Sequence, residues 1–165
     1  MTVTHRIATV FGLGKLRPAP GTWGSAAAVI TGLLIDRYLG APALVLATLA
    51  ATLAGFYACR IELAGKPGAD PSEFVIDEVA GQWIALLFPA LAFWSRGWDA
   101  FLPWPAWVGA FLAFRLFDIW KPWLVGRADA RGDADGVMID DLWAGLFAGL
   151  TVITGGILYH GVFLL

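Results

Sequence analysis

Two doubled acids, Asp77-Glu78 and Asp140-Asp141, each stand immediately before an apolar run. The spacing predicts that each pair opens a membrane helix. A single carboxylate at a helix N-terminus gains a few tenths to about 1 kcal/mol from the helix dipole. Two adjacent carboxylates at a lipid boundary repel each other and lose hydration, so a bound cation explains the doubling better than dipole compensation does. Acids gathered without His or Cys suit a hard cation, and Mg²⁺ takes one or two carboxylates together with substrate phosphate. Asp77, Glu78, Asp140 and Asp141 are therefore the candidate metal ligands.

Two further segments carry charge that fits the same chemistry. Residues 12–25 form a Pro/Gly loop that holds Lys15 and Arg17 and runs into an apolar stretch, with Thr22 and Ser25 placed to cap its helix. Exposed N–H groups at a helix start bind phosphate. For that loop taken alone, a rigid turn with a helix cap and two basic anchors is the simpler account, because short Gly-rich matches carry little specificity. In Phe114-Arg-Leu-Phe-Asp-Ile-Trp-Lys-Pro122, Arg115 and Asp118 lie three apart on one helix face, as do Asp118 and Lys121, and Pro122 marks the helix end. A structural ion pair is the plain alternative there. Together, the acids would hold a cation, Arg and Lys would cradle phosphate, and a carboxylate would serve as general base. That chemistry is phosphate handling on a lipid whose chains stay in the bilayer.

The elements that must position these residues are apolar helices. The 165-residue chain is 59% hydrophobic and 15% charged, with mean hydropathy +0.72. A single domain of this size, taken as residues 1–165, cannot hide such a surplus in its core, so it faces lipid. Nine Trp fit membrane–water boundaries. Apolar stretches run over residues 23–38, 41–58, 79–93, 106–120 and 142–165, predicting an all-α polytopic bundle of four to five spanning or partly spanning helices. Small residues four apart, Gly145 and Gly149, suit close helix approach.

With an internal N-terminus and five crossings, nine of the eleven basic residues fall on one side and only Arg37 and Arg96 on the other. That bias puts the first side in the cytoplasm. Eleven of the thirteen acids share it, leaving Asp36 and Asp99 outside. Net charge of −2 excludes a nucleic-acid footprint. One cysteine, Cys59, excludes an internal disulfide and a multi-Cys metal site, and no arginine follows at a phosphate-loop distance. Asp133-Ala-Asp-Gly lacks the remaining spacing of a Ca²⁺ loop, and Asp133 and Asp135 read as solvated-loop residues.

Four ordered segments, residues 14–25, 75–81, 114–122 and 136–145, resemble the phosphatidylglycerophosphatase A family. The resemblance implies Mg²⁺-dependent hydrolysis of phosphatidylglycerophosphate to phosphatidylglycerol at the bacterial inner membrane. By motif position it implies Asp77, Glu78, Asp118, Asp140 and Asp141 as metal or catalytic residues, with Lys15, Arg17, Thr22, Ser25, Arg115 and Lys121 toward phosphate. A lipid phosphotransferase using CDP-activated alcohols needs an acidic run on consecutive helices that is missing. An ion transporter would place acids at mid-span, whereas these sit near helix ends. A homo-oligomer in the bilayer is compatible with this pattern.

Overall fold

The computed structural model describes residues 1–66, 68–69 and 71–163, with side chains described up to residue 159. Asp70, which begins the acidic segment before Asp77, the His160 side chain and Leu165, the expected end of the last apolar stretch, lie outside the described residues. The chain forms α1 (Val3–Ala8), a 3₁₀ turn (Leu13–Lys15), α2 (Pro20–Leu39), α3 (Ala41–Glu62), α4 (Ile76–Trp94), α5 (Trp104–Trp120), α6 (Trp123–Asp129) and α7 (Ala134–Phe163). No strand occurs among the described residues, in agreement with the all-α expectation.

Punctuation residues set these boundaries. Pro20, Pro42 and Pro105 occupy first-turn positions, where a missing N–H costs no helical bond. Gly40, at φ 84°, ends α2 and begins α3, folding the two into a hairpin. Lys121 ends α5 in the left-handed region at φ 51°, with its N–H on Phe117 O at 2.8 Å, and Pro122 forbids continuation. Asp133 caps α7 by accepting from Gly136 N at 2.7 Å.

Among the described residues, three helices are long and apolar enough to cross a membrane: Ala41–Glu62, Ile76–Trp94 and Ala134–Tyr159. With α2 at 20 residues and α5 at 17, the bundle is compatible with four to five spanning or partly spanning helices. Large apolar side chains point outward along one stripe of α3 (Leu46, Leu49, Leu53) and along α5 (Leu112, Leu116, Ile119), as lipid contact requires. Helix hydroxyls bond back to carbonyls one turn earlier, Thr48 to Leu44 at 2.7 Å and Thr52 to Thr48 at 2.8 Å, so they carry no unmet polar demand into the apolar layer.

The helices begin earlier than the apolar stretches. α4 starts at Ile76 and α7 at Ala134, so Asp140 and Asp141 lie about two turns inside their helix rather than at its first residue. Asp133 and Asp135 are correspondingly a cap and a first-turn residue, and Asp135 holds Arg60 of α3 at 2.6 Å. Neither Thr22 nor Ser25 caps α2; Ser25 Oγ donates to Gly21 O at 2.8 Å within the helix.

α4 and α7 make the most extensive helix pair. A Cβ on Gly145 would lie 2.2 Å from Gly81 O, and one on Gly81 would lie 2.5 Å from Asp141 O. Only hydrogen fits at either place, so the two backbones touch. Each glycine follows an acid by four residues, Asp77 before Gly81 and Asp141 before Gly145, one helical turn away. The crossing therefore delivers both acidic pairs to one spot.

Candidate active site

The two acidic pairs are built alike. Asp77 Oδ1 accepts from Glu78 N at 2.9 Å, and Asp140 Oδ1 accepts from Asp141 N at 2.9 Å. Asp77, Asp140 and Asp141 are all buried. One carboxylate oxygen from each of Asp77, Glu78 and Asp141 lies within 4.8 Å of the other two. Glu78 Oε2 is buried without a hydrogen-bond partner. Three acids held this close, one with an orphaned oxygen, repel one another when ionised, a cation among them would offset that repulsion, and their all-oxygen donor set suits a hard ion. The donor chemistry thus fits a divalent cation of the Mg²⁺ kind.

Room for Glu78 comes from α2. A Cβ on Gly21 would lie 2.2 Å from Glu78 Oε1 and 3.1 Å from Arg115 Nη1. The absence of a side chain at Gly21 lets the Glu78 carboxylate and the Arg115 guanidinium both approach the first turn of α2. Arg115 Nη1 donates to Asp118 Oδ2 at 2.5 Å and reaches Ser25 Oγ at 3.4 Å. Lys121, set at the end of α5, donates to Asp140 Oδ2 at 2.9 Å and also to Asp129. Burial by itself would lower the Lys121 pKa; its bonds to Asp129 and Asp140 outweigh that and leave it raised, so the ammonium stays charged at neutral pH.

These side chains line a cavity of about 310 Å³ whose wall includes Gly21, Thr22, Asp77, Glu78, Arg115, Asp118, Lys121, Asp140 and Asp141. Phe74, Ile119 and Val137 add apolar lining. Of the residues singled out in the sequence, eight therefore share one cavity: five acids, Thr22, Arg115 and Lys121. Ser25 is buried behind it and touches it through Arg115. Asp140 faces Lys121 and stands outside the three-acid group. Arg17 is exposed and reaches the cavity only through Ser72 Oγ at 3.3 Å, and Lys15 is exposed beside Met1 Sδ at 3.5 Å.

Gly21 and Ser72 were not singled out by sequence reasoning. A signal existed for the crossing: Asp-x-x-x-Gly occurs at both 77–81 and 141–145. Ser72 carries no comparable mark, because its place on the wall follows from the loop between α3 and α4.

Membrane-length helices with a charged cavity of about 310 Å³ at one end of the bundle define a polytopic membrane protein. Comparison with known proteins narrows this class. The family model for phosphatidylglycerophosphatase A matches residues 6–155. The chain belongs to the phosphatidylglycerophosphatase A family, a family of phosphatases. It is 36% identical over 149 residues to phosphatidylglycerophosphatase A of Haemophilus influenzae, covering 90% of this chain and 85% of the relative. It is 34% identical over 157 residues to the Escherichia coli protein of the same name, covering 94% and 81%. A Bacteroides thetaiotaomicron protein, provisionally named a phosphatidylinositol-3-phosphatase, is 37% identical over 146 residues, covering 86% of each chain. No solved structure matches the chain.

Proposed function

We propose that residues 1–165 act as one unit that hydrolyses phosphatidylglycerophosphate to phosphatidylglycerol and phosphate, with Mg²⁺, in phospholipid biosynthesis. The cavity face would lie on the cytoplasmic side of the bacterial inner membrane, where the positive-inside bias puts the basic loops. The observation that carries this reading is the group of Asp77, Glu78 and Asp141 oxygens within 4.8 Å at the wall of a cavity that also presents Arg115 and Lys121. The family's name supplies the lipid.

In this reading Asp77, Glu78 and Asp141 hold the cation. When bound, Mg²⁺ offsets phosphate charge and polarises the phosphoryl group. Arg115 and Lys121 engage the remaining phosphate oxygens, the guanidinium in paired fashion and the ammonium as a point charge. Thr22 and the first N–H groups of the 20-residue α2 face the same space, and the helix dipole favours an anion there. Asp118 and Asp140 are the carboxylates left to accept a proton from an attacking water, each already oriented by its basic partner. Water oxygen bonds to phosphorus, the bond from phosphorus to the glycerol oxygen breaks, and that oxygen takes up a proton to become the lipid alcohol. Phe74, Ile119 and Val137 meet the apolar end of the headgroup.

The test is phosphate release by purified protein in mixed micelles, with phosphatidylglycerophosphate, phosphatidylinositol 3-phosphate and phosphatidic acid as separate substrates. Release from phosphatidylglycerophosphate should dominate and vanish in excess chelator, then return with Mg²⁺. Full activity in chelator overturns the metal role; preference for the inositol lipid overturns the substrate.

A further inference from the structure

One turn beneath the carboxylates, α4 carries an amide with nothing to bond. Gln82 is completely buried, and neither Nε2 nor Oε1 has a hydrogen-bond partner. Among the described residues, the only other buried side-chain atoms in that condition are Glu78 Oε2 and Arg115 Nε. Buried polar groups are nearly always partnered, so orphans on neighbouring residues call for a shared cause.

Geometry connects Gln82 to Glu78. The two are four residues apart on α4 and share a helix face. Helical side chains lean toward the N-terminus, so the Gln82 amide reaches back over the turn that carries Glu78. Gln82 is absent from the cavity wall, so it meets neither substrate nor cation directly. Its chemistry also fits. A neutral N–H donor can fix the orientation of a carboxylate while leaving its negative charge for a metal, whereas a basic residue would compete with the metal for that charge.

Building on the reading of Asp77, Glu78 and Asp141 as cation ligands, we infer that Gln82 is a positioning residue for Glu78. With a divalent cation in the cluster, the Gln82 Nε2–H group holds Glu78 Oε2, directly or through one buried water, and Glu78 Oε1 turns to the ion. A buried polar pair of this kind adds nothing to stability without the ion. It sharpens the site for the ion.

The experiment measures cation-induced thermal stabilisation of the full chain in detergent, with Mg²⁺ titrated against wild type and Gln82→Leu. Removing an unbonded buried amide should leave the metal-free midpoint equal or higher. The half-saturating Mg²⁺ concentration should rise about 10–100-fold, the usual effect of losing the group that orients a metal ligand. Should Gln82→Leu not yield folded protein, Gln82→Met, closer in shape and more adaptable, carries the same comparison. A wild-type response with unchanged half-saturation in the variant overturns the role of Gln82 alone. No Mg²⁺ response in wild type overturns the cation site and this role with it.

Discussion

Asp141 is 3% exposed and shares its space with two other carboxylates. Such a residue is poorly placed for stability and well placed for holding a cation. Asp141→Asn should therefore keep or raise the metal-free thermal midpoint, since it removes one repelling charge. Phosphate release should fall by at least about a hundredfold, because the ion's contribution to the transition state amounts to several kcal/mol. Phosphate release and thermal unfolding on the same preparation check both halves, and near-wild-type turnover would remove Asp141 from the site. At this scale the acids were legible from sequence, since doubled carboxylates beside apolar runs have few structural uses. Their partners were not. Lys121 was expected beside Asp118, yet it bonds Asp129 and Asp140, because the left-handed turn at its own backbone takes it off the α5 face. Gln82 reads in sequence as an ordinary polar residue inside an apolar run.

Between elements, the α4–α7 contact decides whether the acids meet. Gly145→Ala would set a methyl group 2.2 Å from a backbone oxygen, and neither helix can yield there without opening the crossing. The substitution should cost about 1–3 kcal/mol and lower turnover further than its stability loss explains. Gly156→Ala, later in the same helix and facing open space, should be neutral or gain up to about 1 kcal/mol from helix propensity. Unfolding in detergent separates the two; equal effects would deny the crossing its role. Hydropathy located the long helices because lipid contact selects apolar side chains. It missed the polar first turns of α4 and α7, which are helical through backbone bonding rather than lipid exposure, with an Asp133 cap at α7 alone. It also missed α1 and α6, which are too short to leave an apolar run.

Across the whole molecule, charge is sorted to two ends. Opposite the carboxylate cavity, a second cavity of about 350 Å³ is lined by Asp36, Arg37, Trp94, Trp98 and Asp99, with Arg37 bonding Asp99 at 3.0 Å. The count of basic residues along the chain anticipated this separation, because loops alternate sides at every crossing. In cells, single cysteines at positions 66 and 127 should react with a permeant maleimide and resist an impermeant one, while cysteines at 37 and 96 should react with both. The native Cys59 is buried and adds little background. Impermeant labelling at 66 and 127 would reverse the orientation. Were α4 to rock on α7, the Gly81–Gly145 contact, where the two backbones touch, would serve as its pivot. Gly81 stands four residues, about 6 Å, from Asp77 but thirteen residues, about 20 Å, from Trp94. Any rocking of α4 against α7, as when a thicker or thinner bilayer changes helix tilt, swings the far ends about three times as far as the acids. The carboxylates would then ride on the short arm of that lever, and the long arm would take up most of the change in tilt.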